Sequence, residues 1–265
     1  MTILDEIITH KHQEVAAAKK TTPLVAFLEH VKNRHDFRGF RRSLDTPGVR
    51  LIAEIKRQSP SKGVIAENLD PVALATAYEI GGAAALSVLT DARFFGGCMD
   101  DLLAARNATD LPVLRKEFII DEYQVYESVA YGADAILLIA RILDDAQMKR
   151  LYGLSMDLGI DVLLEVHNAQ DFDRAVKIGA HLIGINNRNL ADFHTDLNVS
   201  MELVAKANPN LDWTPVALSG IATVDDIQMN LGAGIRRFLV GESLVKSPNP
   251  SELIHQMCEV QRPNK

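Results

Sequence analysis

A Gly-Ala dipeptide recurs four times along this chain, each time where an amphipathic segment ends and a short apolar run begins. The pairs are Gly82-Ala83 before Ala84–Leu89, Gly132-Ala133 before Ala135–Ala140, Gly179-Ala180 before Leu182–Ile185, and Gly232-Ala233 before Phe238–Val240. The glycines lie 50, 47 and 53 residues apart. A glycine just past a helix takes the left-handed conformation that stops it, which a residue with a Cβ resists. The apolar runs that follow suit strands buried on both faces, as parallel sheets require. Four more runs alternate with the repeats, Leu51–Ile55 ahead of the first and Leu111–Leu114, Val162–Leu164 and Val216–Leu218 between successive ones. Helical periodicity marks Pro71–Ile80, Glu122–Ala130, Asp144–Leu158, Ala169–Ile178 and Val224–Leu231. Asp70 before Pro71, and Thr223 before Asp225 and Asp226, supply N-terminal helix chemistry. Alternating strands and helices of this number predict an α/β fold, a (β/α)8 TIM barrel over residues 47–260. A doubly wound sheet is the competing arrangement, but nothing in it calls for a fourfold period.

Residues 1–46 precede the first strand and predict an N-terminal helical extension of the same domain, 1–265. Over residues 2–19, Leu4, Ile7, Ile8 and Val15 form one stripe, with Thr2 and Asp5 as a capping box. Lys11 interrupts the stripe, and its ammonium is expected to reach water along an apolar stem. A second helix is expected over 23–31, and 261–265 is expected to fray. The net charge of −7 argues against a nucleic-acid partner, which needs a basic surface. Cys98 and Cys258 are far apart and lack metal spacing, so neither a disulfide nor a zinc site is expected. No apolar run approaches the roughly 20 residues needed to cross a bilayer. Nor does the N-terminus read as a secretory signal, so a cytoplasmic location without a membrane partner is expected.

Side chains two apart on a strand point the same way, so the first run puts Glu54 and Lys56 on one face. Burying two charges needs a reason, and both a structural ion pair and a catalytic acid–base pair supply one. Active sites of barrels lie at the C-terminal strand ends. The third strand ends at Arg115-Lys116-Glu117-Phe118, the fifth at Glu165-Val166-His167, the sixth at Asn186-Asn187-Arg188 and the seventh at Ser219-Gly220. In a barrel these ends converge, and Glu54, Lys56, Lys116, Glu165 and Asn186 share one pocket. Ser219-Gly220-Ile221 and Gly241-Glu242-Ser243 occupy the usual phosphate-binding place after strands seven and eight, or else serve only as tight turns. Ser59 and Lys62, in the loop after the first strand, are placed to close over the same anion. Phe95, Phe118 and Leu137 suit an apolar slot for a ring, whereas loop packing suits Phe94 equally well. His167 and His194 have no partner at metal-ligand spacing and are expected at the surface or behind the reacting groups. His10 and His12 do not share a helix face and are expected in solvent.

These residues resemble the indole-3-glycerol phosphate synthase family over nearly the whole chain. The resemblance rests most specifically on Ile52-Ala53-Glu54-Ile55-Lys56-Arg57-Gln58-Ser59-Pro60-Ser61-Lys62-Gly63. It extends through Pro112–Phe118, Leu164–His167, Gly184–Leu190, Ser219–Ile221 and Leu239–Leu244. It implies a phosphosugar substrate carrying an anthranilate ring, closed to an indole with loss of CO₂ and water, without metal or organic cofactor; a monomer is expected. By the same resemblance Lys116 is the general acid, and Lys56, held by Glu54, pairs with the substrate carboxylate and assists loss of the hydroxyl. Glu165 takes a proton during dehydration or stabilises positive charge at the nitrogen, while Asn186 and Arg188 orient polar groups. Ser219, Gly220, Gly241 and Glu242, with Ser59, hold the phosphate, and Phe95, Phe118 and Leu137 flank the ring. One position departs: the family usually has Glu before the seventh-strand Ser-Gly-Ile, and this chain has Leu218. Losing a nearby anion tends to lower a lysine's pKa, so reduced turnover with retained phosphate binding is expected, unless Glu54 and Glu165 cover the role. A related isomerase barrel would need a Cys and an Asp at strand ends, and neither cysteine here sits at one. A non-catalytic phosphosugar-binding barrel, suggested by Leu218, sits poorly with five polar strand-end residues.

Overall fold

The computed structural model describes residues 2–189 and 194–260; the expected tail 261–265 and Leu190 lie outside them. Eight parallel strands close on themselves in chain order, Arg50–Ile55, Ala85–Leu89, Val113–Lys116, Ala135–Ile139, Asp161–Val166, Leu182–Asn186, Thr214–Leu218 and Arg237–Val240. The first pairs with the last, Ile52 opposite Leu239, and helices cross between neighbours. This is the expected (β/α)8 barrel. The third strand starts at Val113 rather than Leu111, with the Pro112 carbonyl still accepting from Leu86 N at 2.9 Å.

Three of the four repeat glycines take the left-handed turn, Gly82 at φ 87°, Gly132 at 91° and Gly179 at 78°. The fourth does not. The helix Val224–Gly232 runs through Gly232, Ala233 caps it, and Gly234 at φ 91° makes the turn. Helices at Met99–Ala108, Asn198–Lys206 and Pro250–Cys258 add to those read from periodicity.

Strand alternation divides the core. Leu51, Ala53 and Ile55 point outward with Leu86, Val88 and Phe238 into the layer beneath the helices. Ile52, Leu114, Leu163, Val216 and Leu239 fill the barrel interior. Each such fully buried aliphatic side chain stabilises the fold by about 1.5–3 kcal/mol. Glu54 follows Ile52 inward and so emerges at the top of the interior stack.

The N-terminal helix Ile3–Thr21 starts with the expected Thr2–Asp5 capping box and buries Ile7 and Val15. Its Lys11 does not reach water. The side chain is 0% exposed, and its Nζ lies 3.0 Å from Asp91 Oδ2, 2.9 Å from Glu117 Oε1 and 3.0 Å from Glu14 Oε2. Acids from the loops after the second and third strands meet the helix there, so the ammonium is paired rather than hydrated. The second helix, Val25–Asn33, is followed by Arg34, whose guanidinium bonds the carbonyls of Val129 and Ala133 at 2.8 Å and buried Asp134 at 3.0 Å. Both ends of the extension are thereby tied to the barrel.

Candidate active site

A cavity of about 650 Å³ opens at the C-terminal ends of the strands. Its lining includes Glu54, Lys56, Lys116, Glu165 and Asn186, and also Ser59, Phe95, Phe118, Leu137, Arg188, Ser219, Gly220, Gly241 and Glu242. Residues from eight stretches of chain thus share one wall because each sits in the C-terminal half of a parallel strand or in the loop that follows it.

The charged groups form two pairs. Lys56 and Glu54 make a direct ion pair, with Glu54 nearly buried. Gly241 packs against this carboxylate so closely that a Cβ there would lie 2.5 Å from Glu54 Oε1. Across the cavity Lys116 Nζ is 3.4 Å from Glu165 Oε2, and Asn186 Nδ2 donates to Glu165 Oε1 at 3.0 Å. Arg188 N donates to Asn186 Oδ1 at 2.9 Å, which fixes the amide's orientation. Burial alone pushes the Glu165 carboxyl up, but Lys116, His167 and the Asn186 amide outweigh it and hold the group below its ordinary 4.5. Glu165 is therefore an ionised carboxylate beside an ammonium. That arrangement can hold or move a proton.

Two turns bound the opposite side. Ser219 at φ 64° is the only non-glycine at positive φ among the described residues, and Gly220 follows at 83°. Such strained backbone in a loop marks a site worth testing for function. The helix Glu242–Lys246 begins at the second turn, and the Glu242 carboxylate is engaged by Lys246 at 2.7 Å. Ser243, read from sequence only as part of that turn, also lines the cavity, and its buried hydroxyl has no hydrogen-bond partner among the described residues. Ser59 lies in a hairpin pairing Gln58–Ser59 with Gly63–Val64. Arg188 Nη1 reaches the same hairpin, donating to Ser61 Oγ at 3.0 Å.

Phe95 and Phe118 face each other at 6.0 Å and 40°, making an apolar end with Leu137. Phe94 turns away and meets His10 of the N-terminal helix edge-on at 5.9 Å. His167 lies behind the rim, with Nε2 3.3 Å from Glu165 Oε1. Sequence reasoning missed the contribution of Ile3, Leu4 and Ile7, which wall the cavity from the N-terminal helix. Their stripe reads as packing against the barrel, and nothing in its spacing distinguishes a cavity wall from a core. Leu218 faces inward at 1% exposure, opposite Asn186 in register, and a Cβ on Gly184 would sit 2.6 Å from its Cδ1. The interior is thus shaped around a leucine where the resemblance leads one to expect a carboxylate. Among the described residues no group of three or more His, Cys, Asp or Glu is arranged to hold a metal ion.

A closed barrel with lysine–carboxylate pairs at one rim and glycine turns after its last two strands defines a (β/α)8-barrel acid–base enzyme. The chain belongs to the indole-3-glycerol phosphate synthase family, whose sequence pattern matches residues 4–257. It is 47% identical to the indole-3-glycerol phosphate synthase of Desulfosudis oleivorans over 96% of this chain and 98% of that one. It is 46% identical to the enzyme of the same name from Variovorax paradoxus over 95% and 97%. Among solved structures it resembles a thiamine phosphate pyrophosphorylase from Pyrococcus furiosus, with TM-score 0.58 and 15% identity over 79% of this chain and 93% of that one. An N-acetylmannosamine-6-phosphate 2-epimerase from Clostridium perfringens aligns with TM-score 0.59 and 17% identity over 76% and 89%. These two likenesses show the fold alone. No helix among the described residues is long and apolar enough to cross a membrane.

Proposed function

We propose that this chain closes 1-(2-carboxyphenylamino)-1-deoxyribulose 5-phosphate to indole-3-glycerol phosphate, releasing CO₂ and water. The observation that carries this reading is the pairing of Lys116 with Glu165 in the same cavity as the Lys56–Glu54 pair. The aryl carbon bearing the carboxyl attacks the ketone carbon, and Lys116 gives a proton to the ketone oxygen as its charge develops. Lys56 pairs with the substrate carboxylate until CO₂ departs and the ring regains aromaticity. It then protonates the leaving hydroxyl, with Glu54 keeping its ammonium in place. Glu165 accepts the proton from the carbon next to nitrogen, completing the indole double bond. Asn186 and Arg188 orient the polar groups, and backbone amides of Ser219, Gly220, Gly241 and Glu242, with the Ser59 hydroxyl, hold the phosphate. Phe95, Phe118 and Leu137 flank the anthranilate ring. The cavity's unpaired Ser243 hydroxyl lies on the phosphate side and supports this orientation.

On this reading the chain works as a cytoplasmic monomer on a small molecule, without nucleic-acid or membrane partners. Purified protein mixed with the substrate should develop indole fluorescence. Lys116→Met should lower kcat by roughly 10²–10⁴, the usual contribution of a positioned proton donor. Equal inactivity of both proteins would overturn the enzymatic reading while leaving the barrel intact.

A further inference from the structure

Glu165 is a buried carboxylate with three polar partners, and one of them has no place in the mechanism above. Its Oε2 faces Lys116 at 3.4 Å. Its Oε1 accepts from Asn186 at 3.0 Å and lies 3.3 Å from His167 Nε2. Proton donation to the ketone draws the Lys116 ammonium toward substrate, so the contact at Oε2 loosens during the reaction. The desolvated carboxylate then depends on whatever remains at Oε1.

His167 does not line the cavity, so it touches no substrate. Its side chain is only 2% exposed, yet neither ring nitrogen makes a hydrogen bond among the described residues. Buried polar groups without partners are rare and call for an explanation. The carboxylate oxygen within ion-pair distance of its ring is Glu165 Oε1, 3.3 Å from Nε2. We propose that His167 is a positioning residue that presents Nε2–H to Glu165, keeping the carboxylate aimed into the cavity when Lys116 engages substrate.

The surroundings of the imidazole support a neutral donor. Glu165 faces it from the fifth strand, Lys116 from the third strand and Arg141 from the turn after the fourth. Asp171, from the helix Ala169–Lys177, faces it too and accepts from the His167 backbone amide at 3.4 Å. Burial pushes the imidazole below its ordinary 6.5, Arg141 and Lys116 push the same way, and Glu165 and Asp171 pull against them without reversing the shift. A neutral ring has one proton, and this geometry puts it on Nε2.

The inference rests on the function proposed above, and two of its tests need no substrate. In ¹⁵N spectra of the ligand-free protein at neutral pH, His167 should show the neutral Nε2–H tautomer. The Nδ1–H tautomer would overturn the proposal. Titration of the ¹³C-labelled Glu165 carboxyl should move upward in His167→Leu and return in His167→Gln, whose amide restores a donor. In turnover, His167→Leu should lose roughly tenfold to a hundredfold in kcat, the range for a hydrogen bond to a charged group, with KM within about threefold. The acid limb of its kcat profile should move to higher pH, and His167→Gln should recover both. An active wild type whose Leu variant keeps its acid limb and kcat would sink the proposal but not the function. An inactive wild type would sink the function, and the two spectroscopic titrations would still decide the role of His167.

Discussion

Replacing Lys11 with Met removes one ammonium and almost no volume, so it isolates the charge that joins the N-terminal helix to the barrel. The side chains of Lys11, Asp91 and Glu117 are 0%, 1% and 1% exposed. Without the ammonium, Asp91 and Glu117 stay buried side by side, and Arg115 Nη2, 3.9 Å from Glu117 Oε2, is left to face both. Breaking a buried ion pair from one side costs about 3–5 kcal/mol, a large share of a total stability of about 5–15 kcal/mol. At roughly 2–4 °C per kcal/mol, Tm should fall by roughly 6–20 °C. Burial lowers the Lys11 pKa, but Glu117, Asp91 and Glu14 outweigh it and hold the ammonium above its ordinary 10.5. A group raised in the folded state stabilises fully below its unfolded value and loses that contribution as pH rises through the folded one. The gap between wild type and variant should therefore be flat from pH 7 to 9 and shrink only in alkali above 10.5. Calorimetry or denaturant melts across pH check both points. A Tm difference below about 2 °C, or a gap that widens in alkali, would refute the reasoning. The same helix walls the cavity with Ile3, Leu4 and Ile7, so KM should also rise in the variant.

Leu218→Glu places a carboxylate next to Asn186 and should raise kcat while lowering Tm, because the site is packed with apolar neighbours. Steady-state kinetics decide it, and an unchanged kcat would show that Glu54 and Glu165 suffice. Gly241→Ala puts a Cβ 2.5 Å from Glu54 Oε1. It should displace the Glu54–Lys56 pair and cut kcat by roughly tenfold or more, read against an unfolding curve that shifts by only a few degrees. Cys98 is exposed, while burial pushes the Cys258 thiol up to about 11. Iodoacetamide at pH 8, followed by mass spectrometry, should modify Cys98 in the native protein and Cys258 only after unfolding.

The barrel was legible because its signals are local. Apolar runs separated by glycine stops need no knowledge of tertiary contacts, and strand alternation alone puts Ile52 and Glu54 on the inner face. The strand-end groups were legible for the same reason, since topology carries them to one rim. What depended on partners distant in sequence was not. The Lys11 ammonium reads as a solvated end until Asp91 and Glu117 arrive from two separate loops, and His167 acquires its position only through packing behind Glu165. The fourth glycine stop slipped by two residues because Gly232 and Gly234 both offer one, and the helix runs on through Gly232. The helices Met99–Ala108 and Asn198–Lys206 have no side-chain cap to announce them. Pro250–Cys258 begins with an Asn249 cap and Pro at its first turn, a signal the chain does carry.

The orientation of substrate between the two lysines is the proposition on which the chemistry stands, and a crystal structure with a ketone-reduced substrate analogue tests it most directly. The analogue's phosphate should meet the backbone at Gly220 and Gly241, its aryl ring should lie against Phe118 and Leu137, and its hydroxyl should fall within hydrogen-bond distance of Lys116 Nζ. An analogue bound with its phosphate among the phenylalanines, or with Lys116 and Glu165 out of reach of the hydroxyl, would contradict the account.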